Sequence, residues 1–129
     1  MTAVDTNVVV RLLTADDPKQ SAAAKTLFRQ QPVWIAKTVL LETGWVLRSL
    51  YAYEESVIHE AFLKLLGLKN VHVEDEPSVA AALALTAQGI DLADALHLTS
   101  RPAGAVFVSF DRSFVRRAQR ASVPGVSVP

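Results

Sequence analysis

Five short segments rich in apolar residues are spaced along this 129-residue chain, and the stretches between them have helical character. Strands this short are typical of a sheet buried on both faces, and parallel strands need a crossover such as a helix to connect them. The alternation therefore predicts an α/β fold with a mainly parallel sheet. The predicted strands are 2–5, 33–36, 71–73, 105–110 and 126–128.

The segments between the strands carry helix start and stop signals. Asp17 followed by Pro18 is typical of a helix N-terminus, Thr38 is predicted to cap the next helix, and Gly67 stands where a helix would end. The length favours one domain over residues 1–129, without repeats or linkers. The predicted helices are 8–13, 17–30, 38–50, 54–66, 77–88, 91–100 and 113–121.

Composition excludes several function classes. Half of the residues are apolar, which suffices for a core, and the absence of cysteine excludes disulfides, thiolate metal sites and a cysteine nucleophile. The N-terminus has no basic segment before an apolar stretch, and the longest apolar run, Val79 to Leu85, is far shorter than the ~20 residues of a membrane-spanning helix. We therefore expect a cytoplasmic protein with no membrane partner.

Acidic residues fall at positions where ligands bind in parallel α/β folds. Asp5 ends the first predicted strand and Asp111 follows the fourth, so both should lie at the carboxyl edge of the sheet. For each alone, a turn or cap role is the more common one, and it is their joint placement that favours a ligand site. Glu42 stands in a largely apolar helix, either on its one solvated face or partly desolvated and in need of a cation.

Two further acids open the predicted helix 91–100. Asp91 is explained as its N-cap, whereas Asp94, on the same face, is not needed for capping. Other chemistries lack their motifs: His59-Glu60 begins a zinc protease motif, but Leu63 replaces its second histidine, and no nucleophile elbow or phosphate loop is present. The remaining carboxylate set selects a hard cation such as Mg²⁺ or Mn²⁺.

Four segments together resemble the PIN-domain ribonucleases, and most closely the VapC-type toxins of bacterial toxin–antitoxin pairs. They are Asp5-Thr6-Asn7, Val39 to Glu42, Ala93 to Leu98, and Ser109 to Phe114, and the similarity covers essentially the whole chain. The resemblance implies a three-layer α/β/α domain with a four- or five-stranded parallel sheet. It also implies an endoribonuclease dependent on Mg²⁺ or Mn²⁺ that cuts RNA, commonly tRNA or rRNA.

The resemblance assigns roles to individual residues. Asp5 and Asp94 would be the firmest metal ligands, and Glu42 and Asp111 would hold a second ion or orient water. Members of this family usually form homodimers, and a cognate VapB-like antitoxin fills their acidic groove. The large apolar residues of segments 45–53 and 57–66 agree with a dimer, although a core explains them as well. The residues implied to support the site are Thr6, Asn7, Asp91 and Ser109.

The net charge of zero hides an uneven distribution. Residues 1–100 carry 8 basic and 12 acidic side chains, whereas residues 101–129 carry 5 and 1. Arg112, Arg116 and Arg120 share one side of the last predicted helix, where they either face solvent or hold RNA phosphates.

Two alternatives to a ribonuclease remain at this point. One is a binding module without catalysis, whose acids grip a basic partner peptide. The other is a phosphatase of the haloacid-dehalogenase type, which also has an aspartate after its first strand. That chemistry needs a second aspartate two residues later, where this chain has Asn7.

Overall fold

A computed structural model describes all residues 1–129 and divides the chain into two compact units, Met1–Glu76 and Pro77–Pro129. The α/β class is confirmed: seven helices and five short strands, every pair of which is parallel, agree with a three-layer α/β/α domain. The strands form a three-stranded and a two-stranded hydrogen-bonded sheet. No helix has the length and apolar character required to cross a lipid bilayer.

The first unit alternates strands with pairs of helices. The central strand β2 pairs with β1 on one side and β3 on the other, with Thr2 opposite Val33 and Ile35 opposite Val73. Its elements, in chain order, are β1 (Thr2–Ala3), α1 (Thr6–Leu13), α2 (Pro18–Gln30), β2 (Val33–Ile35), α3 (Lys37–Ser49), α4 (Glu55–Leu66) and β3 (Val71–Val73).

The core of this unit explains why α1 lies where it does. Val9 and Val10 of α1 are buried, and the helix packs against both α2 and α3. Phe28 of α2 and Leu47 of α3 are likewise buried, so each helix turns an apolar face toward the core. This packing fixes the position of the α1 N-terminus, which follows β1 directly.

Helix boundaries match the sequence signals with one correction. Asp17 caps α2 with Pro18 at its first position, and Gly67 ends α4, as predicted. The prediction that Thr38 caps α3 is wrong, because the helix begins at Lys37 and its N-cap, Ala36, has no capping side chain. Glu74 replaces it: its Oε1 accepts a hydrogen bond from the Lys37 N–H at 3.0 Å.

The second unit holds the remaining helices and a short sheet. Phe107 pairs with Val126, and its ring meets Phe114 edge to face at 5.7 Å within the core. The predicted strand 105–110 is shorter than expected, because Ala105 belongs to a turn closed by Pro102. Its elements, with α5 beginning at the unit boundary, are α5 (Glu76–Thr86), α6 (Leu92–Thr99), β4 (Phe107–Val108), α7 (Arg112–Arg120) and β5 (Val126–Ser127).

One buried hydroxyl in α3 has no partner. Thr43 is fully buried and its Oγ1 makes no hydrogen bond. Burying an unsatisfied hydroxyl costs free energy, and valine has the same shape without that group. We expect Thr43→Val to raise the free energy of unfolding by about 1 kcal/mol in urea titrations. Thr38→Val, at an exposed position of the same helix, is the matched control, and a destabilised Thr43→Val protein would contradict the prediction.

A polar network ties the loop after α1 to the end of α3. The Tyr51 hydroxyl donates to Asp16 at 2.6 Å and accepts from the Arg11 guanidinium at 3.0 Å, and Arg11 also forms an ion pair with Asp16. The hydrogen bond from Tyr51 is the largest cause that lowers the pKa of Asp16, and Thr14 and Arg11 lower that pKa further. The network therefore stabilises the fold while Asp16 is ionised.

This network predicts a pH-dependent loss of stability in Tyr51→Phe. A carboxyl with a lowered pKa in the folded state stabilises the fold above its unfolded pKa of about 3.9, and that contribution disappears as the pH falls through the folded-state value. The variant should melt a few degrees below the wild type at pH 7, and the difference should shrink below about pH 4. The control is Tyr53→Phe, because the Tyr53 ring lies next to that of Tyr51, with the ring centroids 5.8 Å apart and the planes tilted by 57°. A difference that does not change with pH would contradict this interpretation.

Candidate active site

Asp5 lies between the first strand and α1. Its backbone is extended, and its Oδ1 accepts a hydrogen bond from the Val8 N–H at 3.2 Å, which caps the helix. The side chain is exposed, and Oδ2 is left without a hydrogen-bond partner. Asp5 is therefore held by its cap while one carboxylate oxygen stays available to a ligand.

Thr6 connects α1 with Glu42 on α3. The Thr6 side chain is buried, and its hydroxyl donates a short hydrogen bond to Oε1 of Glu42. Glu42 itself is exposed, so the structure favours the solvated-face interpretation of this acid over the desolvated one. The hydrogen bond nevertheless fixes its carboxylate beside the residue that follows Asp5. The first unit thus brings these three side chains to the N-terminal end of α1.

Asn7 is exposed at the next position of α1. Together with Asp5 it lines a cavity of about 410 Å³ between α1 and α2. The cavity has apolar walls contributed by Val8 and Leu27 and is bordered at its far side by Arg11. Asn7 therefore borders the same surface as Asp5, as expected of a supporting residue.

The start of α6 carries the next two acids. Asp91 is the N-cap, and its carboxylate accepts a hydrogen bond from the Ala93 N–H at 3.2 Å. Asp94 follows in the first turn and is half-buried. The pKa of Asp94 is raised, first by burial and then by the negative charges of Asp91 and Asp111, while His97 and Arg117 act in the opposite direction. A carboxylate held among other carboxylates is a feature of functional sites.

Asp111 is the N-cap of α7 and lies in a hydrogen-bonded turn. Its backbone N–H donates to the Ser109 hydroxyl at 3.0 Å, and its Oδ1 accepts from the Phe114 N–H at the same distance. Ser109 therefore supports Asp111 through the backbone. Within the second unit, Asp91, Asp94 and Asp111 lie close enough for their charges to interact.

The donor chemistry of these acids suits a hard divalent cation. Every donor is a carboxylate oxygen, and a bound cation would relieve the repulsion that Asp94 experiences from Asp91 and Asp111. In the structure, however, no three histidine, aspartate or glutamate side chains come together as a group that could hold a metal ion. Among the predicted ligands, Asp5 and Glu42 belong to the first unit, and Asp94 and Asp111 belong to the second.

The arginines of α7 are placed as the helical spacing predicted. Arg112, Arg116 and Arg120 are all exposed and recur once per turn along one side. Sequence reasoning missed a different arginine, Arg117, whose charge lowers the pKa of Asp94. No spacing rule could find it, because Asp94 lies on another helix.

The fold and the acidic residues define a carboxylate-bearing α/β domain of the kind found in phosphodiester hydrolases. The family model of the PIN domain matches residues 2–119, which run through both units, and the chain belongs to this family. No curated protein gave a significant match. PIN domains are in general metal-dependent nucleases, so membership supports assignment of the chain to the nucleases and counts against the phosphatase alternative.

Proposed function

We propose that the protein is a Mg²⁺- or Mn²⁺-dependent endoribonuclease that acts as the toxin of a type II toxin–antitoxin pair. The observation that carries the proposal is the PIN domain family match over residues 2–119, and the charge interaction of Asp94 with Asp91 and Asp111 supports it. Ribonuclease chemistry needs acids at these positions that stay ionised around a cation. The expected substrate is RNA, with tRNA and rRNA as first candidates.

The four acids have distinct roles in this proposal. Asp5 and Asp94 are the principal metal ligands, and Glu42 and Asp111 hold a second ion or orient the attacking water. The bound cation supplies charge neutralisation at the phosphodiester and lowers the pKa of water. The hydrogen bond from Thr6 keeps the Glu42 carboxylate oriented, and the Ser109 hydroxyl fixes the backbone of Asp111.

Two protein partners belong to the proposal. An antitoxin of the VapB type would place a basic segment on the acidic residues, since carboxylates attract cationic side chains. A second copy of the chain would cover the exposed apolar side chains at α3 and α4. They are Trp45 on α3, Leu50 directly after α3, and Val57 and Leu63 on α4. Sedimentation at micromolar concentration tests the homodimer, and a pure monomer would contradict it.

Metal removal tests the catalytic proposal directly. The wild-type protein is incubated with end-labelled RNA in Mg²⁺, in EDTA, and in EDTA followed by excess Mn²⁺. We expect cleavage with Mg²⁺, none in EDTA, and recovery with Mn²⁺. Cleavage that survives chelation would contradict the mechanism.

The alternative of a binding module makes the opposite prediction for the same sample. Calorimetry with Mg²⁺ would then show no binding, and no RNA would be cut. The family match favours the nuclease over the binding module, because PIN domains are in general metal-dependent nucleases.

A further inference from the structure

The most exposed large apolar side chain of the protein lies beside the proposed site. Phe110 is 83% exposed and sits in the turn between β4 and α7, directly before Asp111. Full exposure of a phenylalanine ring costs free energy in water, so a monomer gains nothing by keeping it there. A ligand that covers the ring would remove this unfavourable exposure and gain binding free energy from it.

Phe110 has no part in the core of its unit. The aromatic contact of that core is made by Phe107 and Phe114, and Phe114 is only 2% exposed. The turn itself is held by the hydrogen bonds of Asp111 to Ser109 and Phe114, which do not involve the Phe110 side chain. The ring is therefore displayed from a rigid turn without supporting the fold.

The charges next to the ring indicate what covers it. Asp111 and Arg112 follow Phe110 directly, and both are exposed. The cores of protein–protein interfaces are depleted in charged residues, whereas surfaces that bind single-stranded nucleic acid combine an aromatic ring with nearby cations. Bases stack on the ring while the cations hold phosphates.

We propose that Phe110 stacks on a nucleobase of single-stranded RNA adjacent to the phosphate that is cut. This inference rests on the proposed nuclease function and adds a substrate-binding residue to it. Stacking requires an aromatic face. Tryptophan at position 110 should therefore preserve RNA binding, whereas leucine should not, although leucine preserves apolar area.

Binding and cleavage of a short single-stranded RNA test the proposal in the full-length chain. Fluorescence anisotropy in EDTA measures affinity, and cleavage in Mg²⁺ measures kcat/KM. We expect Phe110→Ala and Phe110→Leu to weaken affinity roughly tenfold, with the loss in kcat/KM arising from KM, and Phe110→Trp to bind like the wild type. Melting temperatures check that each variant folds.

Val108→Ala is the matched control, because Val108 is an exposed apolar residue of β4, two residues before Phe110, and has no aromatic face. It should bind RNA like the wild type. If Phe110→Leu binds RNA as tightly as the wild type, or if Val108→Ala loses as much RNA affinity as Phe110→Ala, the ring does not act by stacking on a base and the inference is wrong.

An abasic scan of the RNA provides a second measurement. In the wild type, removing one particular base should weaken binding by the same factor as removing the ring, and in Phe110→Ala that base should no longer matter. Equal losses in both proteins would overturn the inference.

The outcomes separate this inference from the proposed function. If the wild type cleaves RNA and Phe110→Leu binds RNA as tightly as the wild type, the stacking inference is wrong and the nuclease function stands. A wild type that binds RNA through the ring but never cleaves it supports stacking and contradicts the nuclease. A wild type that does neither contradicts both.

Discussion

Replacing Asp94 with asparagine should lower RNA cleavage on the order of 10³-fold and, in metal-free buffer, raise the melting temperature. The first effect follows from the loss of a metal-binding charge. The second follows from the raised pKa of Asp94, because burial and the charges of Asp91 and Asp111 disfavour its ionised form in the folded protein. The neutral amide removes this penalty, and the gain should be on the order of 2–4 °C at pH 7.

The pH dependence of this gain has a definite sign. A carboxyl with a raised pKa destabilises the fold only when it is ionised, so its penalty is absent below the unfolded pKa of about 3.9 and grows as the pH rises through the folded-state value. The advantage of Asp94→Asn in EDTA should therefore vanish toward pH 3.5.

Asp5→Asn and Glu54→Gln complete the experiment. Asp5→Asn should lose cleavage in the same way, whereas Glu54→Gln, which alters an exposed acid with no capping hydrogen bond at the start of α4, should retain it. A folded Asp94→Asn protein that keeps wild-type cleavage, or that melts lower than the wild type at pH 7 in EDTA, would show that Asp94 does not have the proposed role.

Reversing two charges on α7 should weaken RNA binding by a factor on the order of 10–100 in Arg116→Glu/Arg120→Glu. Both side chains are exposed, share one side of the helix with Arg112, and belong to the helix that Asp111 caps. Each phosphate contact releases counterions from RNA, so loss of two contacts should reduce the slope of log K against log salt by about 1.4. Anisotropy titrations over a range of salt concentrations measure both quantities.

Lys25→Glu/Arg29→Glu is a matched control for charge and geometry. Lys25 and Arg29 are exposed and lie four residues apart on α2. Their replacement by glutamate changes the net charge by the same amount as the α7 double substitution. If both double variants lose the same affinity, the effect is one of total charge. If the α7 variant binds with an unchanged salt slope, its arginines make no phosphate contacts.

Much of the fold could be predicted because its signals are local. Asp17-Pro18 and Gly67 act within a few residues of themselves, and the structure places helix ends at both. The start of α3 was missed because its cap comes from Glu74, which is 37 residues away. The strand β4 begins later than predicted because Ala105 closes a turn with Pro102, and only Phe107 and Val108 pair with β5 near the chain end.

The candidate site likewise combines features that are local in sequence with features that depend on contacts between distant residues. Asp5, Asp91 and Asp111 follow strands or begin helices, and those positions are visible in sequence. The hydrogen bond from Thr6 to Glu42 and the influence of Arg117 on Asp94 depend on which helices pack together, so a single sequence could not reveal them.

The capping role of three of the acids has an evolutionary consequence. Asp5, Asp91 and Asp111 each accept a hydrogen bond from a helix N-terminus, and asparagine caps a helix about as well as aspartate. An aspartate codon becomes an asparagine codon by one base change. A descendant of this chain can therefore lose its negative charges one by one and keep the scaffold intact. The architecture gives easy access to inactive homologues that retain only the ability to bind.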